Sequence, residues 1–300
     1  MGLSTISGMG DDVKTRNNEP MTAVVLAGGK GTRLHPYTMS FPKPLVPVGD
    51  RPILEILLGQ LVRDGFRHFV FAVGHLAELI EAYFGDGSRW GKDVTIEYVR
   101  EETALGTAGP LAQMADQLPA HFLVINGDVL CDLDFAAFMA SHLKNDPARV
   151  LSISTHRRIL SSEYGVLNCT TEGLVREYSE KPSYHLAVSE GVYAFSREVL
   201  SWVPRQQRFD FPDLVHRLLR ENVPILACEH SGLWLDIGRP EDYEEAQRMV
   251  SGNPDRFSLF PHRNTRREGA TARVQTTNSG NEAEAALPYR IQMADSFERT

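Results

Sequence analysis

The sequence predicts an α/β fold in which a mixed, mostly parallel sheet is covered by helices on both faces. Three observations carry this expectation. Apolar, strand-like runs alternate with amphipathic helical ones; the first run passes directly into a glycine-rich loop, "AVVLAGGKGTRLHPYT"; and a later run, "HFLVINGDVL", leads into glycine and aspartate. Alternation of this kind builds βαβ units, and parallel sheets deliver ligand groups at the carboxyl ends of their strands.

Each element has its own signal. "TAVVLAGG" reads as a strand, and "PILEILLGQLVRDG" then places Leu54, Leu57, Leu58 and Leu61 on one helical face. "HFVFAVG" is a second strand, "HLAELIEAYFG" a helix and "VTIEYVRE" a third strand, giving the order β-α-β-α-β. In "LGTAGPLAQMADQL", Leu111, Met114, Ala115 and Leu118 recur at helical spacing ahead of the "HFLVINGDVL" strand. From Ser161 the texture changes: "EYGVLNCTTEGLVREYSEKP" and "SEGVYAFS" alternate with turn residues, as an inserted or mixed-sheet portion does, before helices return at "FPDLVHRLLREN" and "PEDYEEAQRMV".

Residues 1–20 are polar and are expected to form a flexible tail, residues 21–250 the folded domain, and residues 251–300, polar and loop-rich, an extension that is mobile or draped on the surface. With 300 residues, 42% of them hydrophobic, the chain can bury a substantial core. A formal net charge of −8 argues against a general nucleic-acid binder, so any basic site must be local. No apolar run is long enough to span a bilayer and the polar N-terminus lacks a signal-peptide core, which places the expected location in the cytoplasm. Cys131, Cys169 and Cys228 lack metal-ligand spacing and read as reduced thiols.

In the opening loop, Gly28, Gly29 and Gly31 permit positive φ and close backbone approach, so successive N–H groups can face an oxyanion, and Arg33 can add a forked, permanently charged clamp. A tight strand-to-helix turn is the alternative. The loop is not a Walker A motif, because no Gly-Lys-Ser/Thr closes it, and Lys30, Thr32 and Arg33 break the dinucleotide G-x-G-x-x-G spacing. The next segment, "FPKPLVPVGDRPILE", holds Lys43 in a stretch stiffened by Pro42, Pro44 and Pro47. Rigidity gives an ordinary surface lysine no advantage, whereas a lysine that neutralises a phosphoryl group benefits from a charge positioned in advance.

"LAGGKGTRLHPYT" followed by "FPKPLVPV" resembles the signature of the sugar-1-phosphate nucleotidyltransferases, and "NGDV", "EYGV", "EKP", "EGVYAF" and "WLDIGRPEDY" follow in that family's order over Ala23 to Val250. The resemblance implies a three-layer, Rossmann-like sheet of the nucleotide-diphospho-sugar transferase type. It also implies a reaction in which the phosphate oxygen of a sugar 1-phosphate attacks the α-phosphorus of a nucleoside triphosphate and pyrophosphate leaves. A phosphomonoester is already anionic near neutral pH, its second pKa being about 6, so charge neutralisation and alignment are needed rather than a general base.

By the same resemblance, Leu26, Ala27, Gly28, Gly29, Gly31, Thr32 and Arg33 bind the nucleotide and Lys43 reaches the phosphates being exchanged. Asp128 and Asp236 hold Mg2+, Lys181 binds the sugar phosphate, and Gly165, Glu180 and Gly191 approach the sugar. Read without the family, Asp128 is a turn residue, Gly165 and Gly191 are hairpin or bulge glycines, and Asp132 and Asp134 are turn or N-cap residues. Glu190 departs from the asparagine or threonine that many members carry before the second glycine, which bears on the identity of the sugar.

"LGTAG" most resembles the guanylyltransferase branch, mannose-1-phosphate and heptose-1-phosphate enzymes among them, with Gly106 and Thr107 at the base; GTP is therefore the expected nucleotide, against UTP, dTTP, ATP or CTP. A helix start capped by Thr107 is the structural alternative. A catalytically silent homologue should have lost Arg33, Lys43, Asp128 or Asp236, all of which are present. A glycosyltransferase should show an Asp-x-Asp metal motif without the glycine loop, and "DLD" (Asp132 to Asp134) is the sole candidate for that motif. The hexapeptide repeats of some relatives are missing, so any homo-oligomer must use another surface.

Overall fold

The computed structural model describes residues 20–101, 105–144 and 150–252. The expected N-terminal tail, apart from Pro20, and the extension beyond Gly252 lie outside these residues, as does the middle of "REETALG".

The strands are β1 (Met21–Ala27), β2 (Pro47–Val48), β3 (Arg51–Pro52), β4 (Phe66–Val73), β5 (Thr95–Arg100), β6 (His121–Asn126), β7 (Val129–Cys131), β8 (Leu151–Ser161), β9 (Val166–Cys169), β10 (Val175–Ser179), β11 (Ser183–Ser196), β12 (Ile225–His230) and β13 (Trp234–Asp236). The helices are α1 (Ile53–Arg63), α2 (Ala77–Phe84), α3 (Gly109–Gln113), α4 (Phe135–Leu143), α5 (Phe211–Arg220) and α6 (Pro240–Gly252). A seven-stranded sheet runs in the order β12-β8-β11-β6-β1-β4-β5. Its neighbours are parallel except where β11 lies antiparallel to β6 and β8. This is the mixed, mostly parallel sheet the alternation predicts.

The three layers follow from side-chain alternation. On β1, Ala23, Val25 and Ala27 face a core built with Leu54, Leu57, Leu58 and Leu61 of α1, Ile80 and Phe84 of α2 and Phe135 and Phe138 of α4. Val24 faces the opposite way, into a second core with Leu111 of α3 and Leu214 and Leu218 of α5. Successive strand residues point to opposite faces, so a strand buried on both sides must be apolar throughout, as "TAVVLA" is.

Two expectations change in detail. The helix read across "LGTAGPLAQMADQL" is helical only over Gly109–Gln113. It then tightens into i→i+3 turns, with Met114 N bonded to Leu111 O (3.2 Å) and Gln117 N to Met114 O (2.9 Å), ahead of Pro119, whose ring disfavours a helical Leu118. Leu111, Met114 and Leu118 are buried all the same. At the other end, α6 continues through Gly252, past the domain boundary expected at Val250.

The chain runs from β1 to β4 and β5 on one side, then crosses to β6 on the other side of β1. That reversal opens a crevice at the carboxyl ends of β1 and β6, where open α/β sheets place ligands. No helix among the described residues is long and apolar enough to cross a membrane.

Candidate active site

A cleft of about 420 Å³ occupies this crevice. Leu26 and Ala27 at the end of β1, then Gly28, Gly29, Gly31, Thr32 and Arg33 in the loop, form one wall; Gly106 and Thr107 come from a separate segment, and Lys43 and Asp128 also line it. All nine residues assigned to the nucleotide from sequence therefore share a single cavity.

The loop is shaped around Lys43. Gly31 has φ +61°, and a Cβ there would lie 3.0 Å from Thr38 Cγ2 and 3.1 Å from Lys43 Cβ, so glycine meets both the backbone and the packing demand. Thr38 Oγ1 donates to Gly31 O at 2.7 Å, closing the loop on itself. Lys43 begins a 3-10 turn, Lys43–Leu45, entered from extended Pro42. Its mostly buried ammonium donates to Asp128 and lies 3.8 Å from Asp236 Oδ1.

Asp128 follows β6 by two residues, and Asp236 ends β13, which pairs with β7 so that Asp236 is opposite Val129. Burial pushes the Asp236 carboxyl up, and the Asp128 charge pushes it the same way; the charges of Lys43 and Arg33 oppose them. Arg33 reaches this corner from the loop: a Cβ on Gly238 would lie 3.5 Å from Arg33 Cζ and 3.4 Å from Asp236 Oδ1. Two carboxylates that repel each other and already converge on one cation are hard oxygen donors suited to a divalent ion.

The segment carrying Gly106 is tied to the start of α5. Thr107 N donates to Asp210 Oδ1 (3.1 Å), and Thr107 Oγ1 accepts from Phe211 N (2.7 Å). Phe209 adds backbone bonds to Leu105 O (2.8 Å) and from Ala108 N (3.0 Å). Thr107 therefore satisfies a backbone donor at the start of α5 and does not cap α3, whose N-cap is Ala108. Asp134 does cap α4, accepting from Ala137 N at 2.9 Å.

The residues assigned to the sugar divide into two places. Gly165, Glu180 and Lys181 cluster on and beside the β9–β10 hairpin: Tyr178 donates to Glu180, its ring covers Gly165, and Lys181 is exposed with φ +46°. None of the three lines the cleft. Gly191 sits in β11, where the register with β8 shifts between Ser189 and Tyr193. With φ +76°, and with Asn126 Nδ2 only 2.6 Å from where a Cβ would be, it packs against the cleft wall itself.

Sequence reasoning gave no role to Glu101, Asn126 or Gly127, and to Pro44 only that of stiffening the Lys43 segment; all four also line the cleft. Three of these had a usable signal, since Glu101 follows β5 directly, Asn126 ends β6 and Gly127 follows it, both strands parallel to the rest of the cleft's frame. Burial pushes the Glu101 carboxyl up, partly offset by Leu105 N, which donates to it at 3.2 Å.

Fold and cleft together define a Rossmann-like α/β protein with its crevice at the sheet's switch point. The family model described as Nucleotidyl transferase matches residues 22–252, and the chain belongs to that family. It is 35% identical over 245 residues to a UTP–glucose-1-phosphate uridylyltransferase of Synechocystis sp., covering 77% of this chain and 63% of that protein. A mannose-1-phosphate guanylyltransferase of Mycobacterium tuberculosis is 35% identical over 250 residues, covering 80% of this chain and 68% of the relative. The chain thus spans about two thirds of the length of these relatives. Among solved structures, HddC from Yersinia pseudotuberculosis complexed with GMP-PN superposes with a TM-score of 0.59 at 26% identity, over 77% of this chain and 99% of that one.

The Thr107–Asp210 pair generates a test. Asp210 is also the N-cap of α5, in a capping box with Asp213, so Asp210→Ala removes both that cap and the acceptor for Thr107 N and should cost about 1 kcal/mol, the usual worth of a helix N-cap. In thermal denaturation the midpoint should fall, and hydrogen exchange should speed up at Thr107 and Ala108 before the rest of the domain. Unchanged exchange at those amides would show that Asp210 does not hold the segment.

Proposed function

We propose that the protein is a sugar-1-phosphate nucleotidyltransferase that joins a nucleoside triphosphate, GTP in our reading, to a sugar 1-phosphate or sugar-like 1-phosphate, releasing pyrophosphate. The observation that carries this reading is the meeting of the glycine loop, Lys43, Asp128 and Asp236 at the carboxyl ends of β1 and β6. Both relatives named above are nucleotidyltransferases that use sugar 1-phosphates.

In this reading the loop amides and Arg33 hold the triphosphate with its α-phosphorus facing the open side of the cleft. The sugar 1-phosphate needs no proton removed, so the protein's task is to hold two anions in line and to offset the charge that grows on the departing pyrophosphate. Lys43, nearly buried and fixed between prolines, supplies positive charge without reorganising. Asp128 and Asp236 would hold Mg2+, whose chemistry here is to screen the phosphates and orient them. Lys181 would meet the sugar phosphate, with Gly165, Glu180 and Gly191 at the sugar. Lys181 is exposed beside the β9–β10 hairpin and does not line the nucleotide cleft, so in this reading the sugar phosphate extends out of the cleft toward the hairpin.

Guanine is favoured by the likeness of "LGTAG" to the guanylyl branch, and a guanylyltransferase and a GMP-PN complex stand among the similar proteins. The uridylyltransferase relative keeps UTP as the leading alternative.

Asp128→Asn and Asp236→Asn should each abolish pyrophosphate release while the circular dichroism spectrum stays native, since each removes charge with little change in volume; normal Mg2+-dependent rates in either would overturn the metal assignment. Lys43→Ala should lower kcat far more than it raises the nucleotide KM, and a change confined to that KM would contradict a transition-state role. Lys181→Ala should raise the KM for the sugar phosphate and leave that for GTP nearly unchanged. GTP should exceed ATP by well over about tenfold in kcat/KM, because each buried polar group left unpaired by the wrong base costs about 1 to 3 kcal/mol. A panel of nucleoside triphosphates against several sugar 1-phosphates reads this directly, and equal use of UTP, dTTP, ATP or CTP would remove the guanylyl assignment alone.

A further inference from the structure

Apart from the cleft, the described residues contain one group of side chains with the makings of a metal centre. His156 on β8, Glu190 on β11 and His230 on β12 each offer a ligand atom, and these atoms all lie within 4.8 Å of one another. The three strands are adjacent in the sheet, and His156 and His230 are register partners in the parallel β8–β12 pair, which puts both imidazoles on one face. Glu190 reaches them from the irregular stretch of β11 just before Gly191. Along the chain, His156 and Glu190 are 34 positions apart and Glu190 and His230 are 40 apart, so only the fold assembles them.

We propose that His156, Glu190 and His230 form a transition-metal site suited to Zn2+, distinct from the aspartates of the cleft. Glu190 Oε1 is 2.7 Å from His230 Nδ1 and 3.6 Å from His156 Nδ1. Ligand atoms around a tetrahedral Zn2+ with bonds of about 2.0 to 2.1 Å stand roughly 3.3 Å apart, so small rotations of the two rings bring all three onto one ion. The surroundings match an outer shell. His230 Nε2 lies 3.1 Å from Asp132 Oδ1, the carboxylate–histidine–metal arrangement that fixes the tautomer and leaves Nδ1 to bind. Ser154 donates to Glu190 Oε2, which orients the carboxylate and leaves Oε1 toward the rings.

Two further facts favour an ion over a simple ion pair. His156 Nδ1 is buried without a hydrogen-bond partner among the described residues, a costly state for an imidazole nitrogen and one that a metal bond removes. A protonated His230 shared between Glu190 and Asp132 leaves that nitrogen unexplained. Glu190 is also a fully buried carboxylate, with Asp132 on the opposite side of the His230 ring, and a dication balances both charges. Two imidazoles and one carboxylate favour Zn2+ or a neighbouring transition ion over Mg2+ and Ca2+, which take oxygen donors.

The ion would brace the cleft from behind. Trp234 Nε1 donates to Glu190 O at 2.9 Å, so β13, which ends in Asp236, and the backbone that continues into Gly191 are already joined at this point. The site stands whether or not the proposed transfer reaction is correct, because its ligands line neither the nucleotide loop nor the Lys43 corner.

The full chain, stripped with EDTA, is titrated with Zn2+ by calorimetry and with Co2+ by visible absorption, alongside His156→Ala, Glu190→Gln, Asp132→Asn and Asp236→Asn. The expected result is one equivalent of Zn2+ and the intense visible bands of four-coordinate Co2+, both lost in His156→Ala and Glu190→Gln and both kept in Asp236→Asn. Asp132→Asn should weaken Zn2+ binding about 10- to 100-fold. Circular dichroism confirms folding, and His156→Ala, on the more exposed ligand, keeps the test valid if Glu190→Gln does not fold. Equal Zn2+ binding by wild type and His156→Ala, no binding by either, only the faint bands of octahedral Co2+, or loss of the Zn2+ equivalent in Asp236→Asn would each overturn the proposal.

Discussion

The cleft depends on one buried cation. Lys43 sits between Asp128 and Asp236, and the three come from parts of the chain with no local connection: the proline-rich loop, the end of β6 and the end of β13. Taking charges out of water costs several kcal/mol per ion unless the geometry compensates. Much of the surrounding structure serves that geometry. Gly31 lacks the Cβ that would press on Lys43, and Pro42 fixes its approach. On the far side α6 holds the loop, with Tyr243 Oη and Gln247 Nε2 each donating to Pro47 O at 2.9 Å and Gln247 Oε1 accepting from Gly49 N at 2.8 Å.

The sheet supplies the frame and one strand supplies its irregularity. Parallel strands on either side of β1 end together, so their last residues share a rim without any loop having to reach for it. The antiparallel β11 completes the sheet beside β6, and its register shift delivers two unlike neighbours: Gly191 packs on Asn126 at the rim, while Glu190 turns into the histidine cluster. A bulge re-aims side chains in this way at little cost to the ladder on either side.

Periodicity made most of the fold legible, because strands buried on both faces must be apolar throughout and α1 must carry leucines along one face. It failed over Met114 to Leu118, where apolar spacing survives in turns because burial, not helicity, is what the spacing reports. Glycine and proline patterns located one wall of the cleft, since local backbone demands leave a local trace. Thr107 was legible as a cap but not as the acceptor for Phe211 N at the start of α5, whose sequence lies about a hundred residues on. Glu101 and Asn126 line the rim only because of where their strands end, and His156, Glu190 and His230 meet only through strand order. Contacts of that kind have no signature at fixed spacing.

The hold of α6 on Pro47 and Gly49 also sets an order of events during synthesis. Chains emerge from the N-terminus, and their domains begin to organise before the rest has been made. The glycine loop and Lys43 are among the first parts of this domain to appear, yet Asp236 and Gln247, which complete and brace them, are among its last. Until then the nascent chain carries a lysine matched to two carboxylates with only Asp128 available, and a loop whose carbonyl at Pro47 is still open to water. The cleft is therefore finished only once β13 and α6 have been made, and a chain stopped short of β13 would have built every strand of the seven-stranded sheet without completing the site.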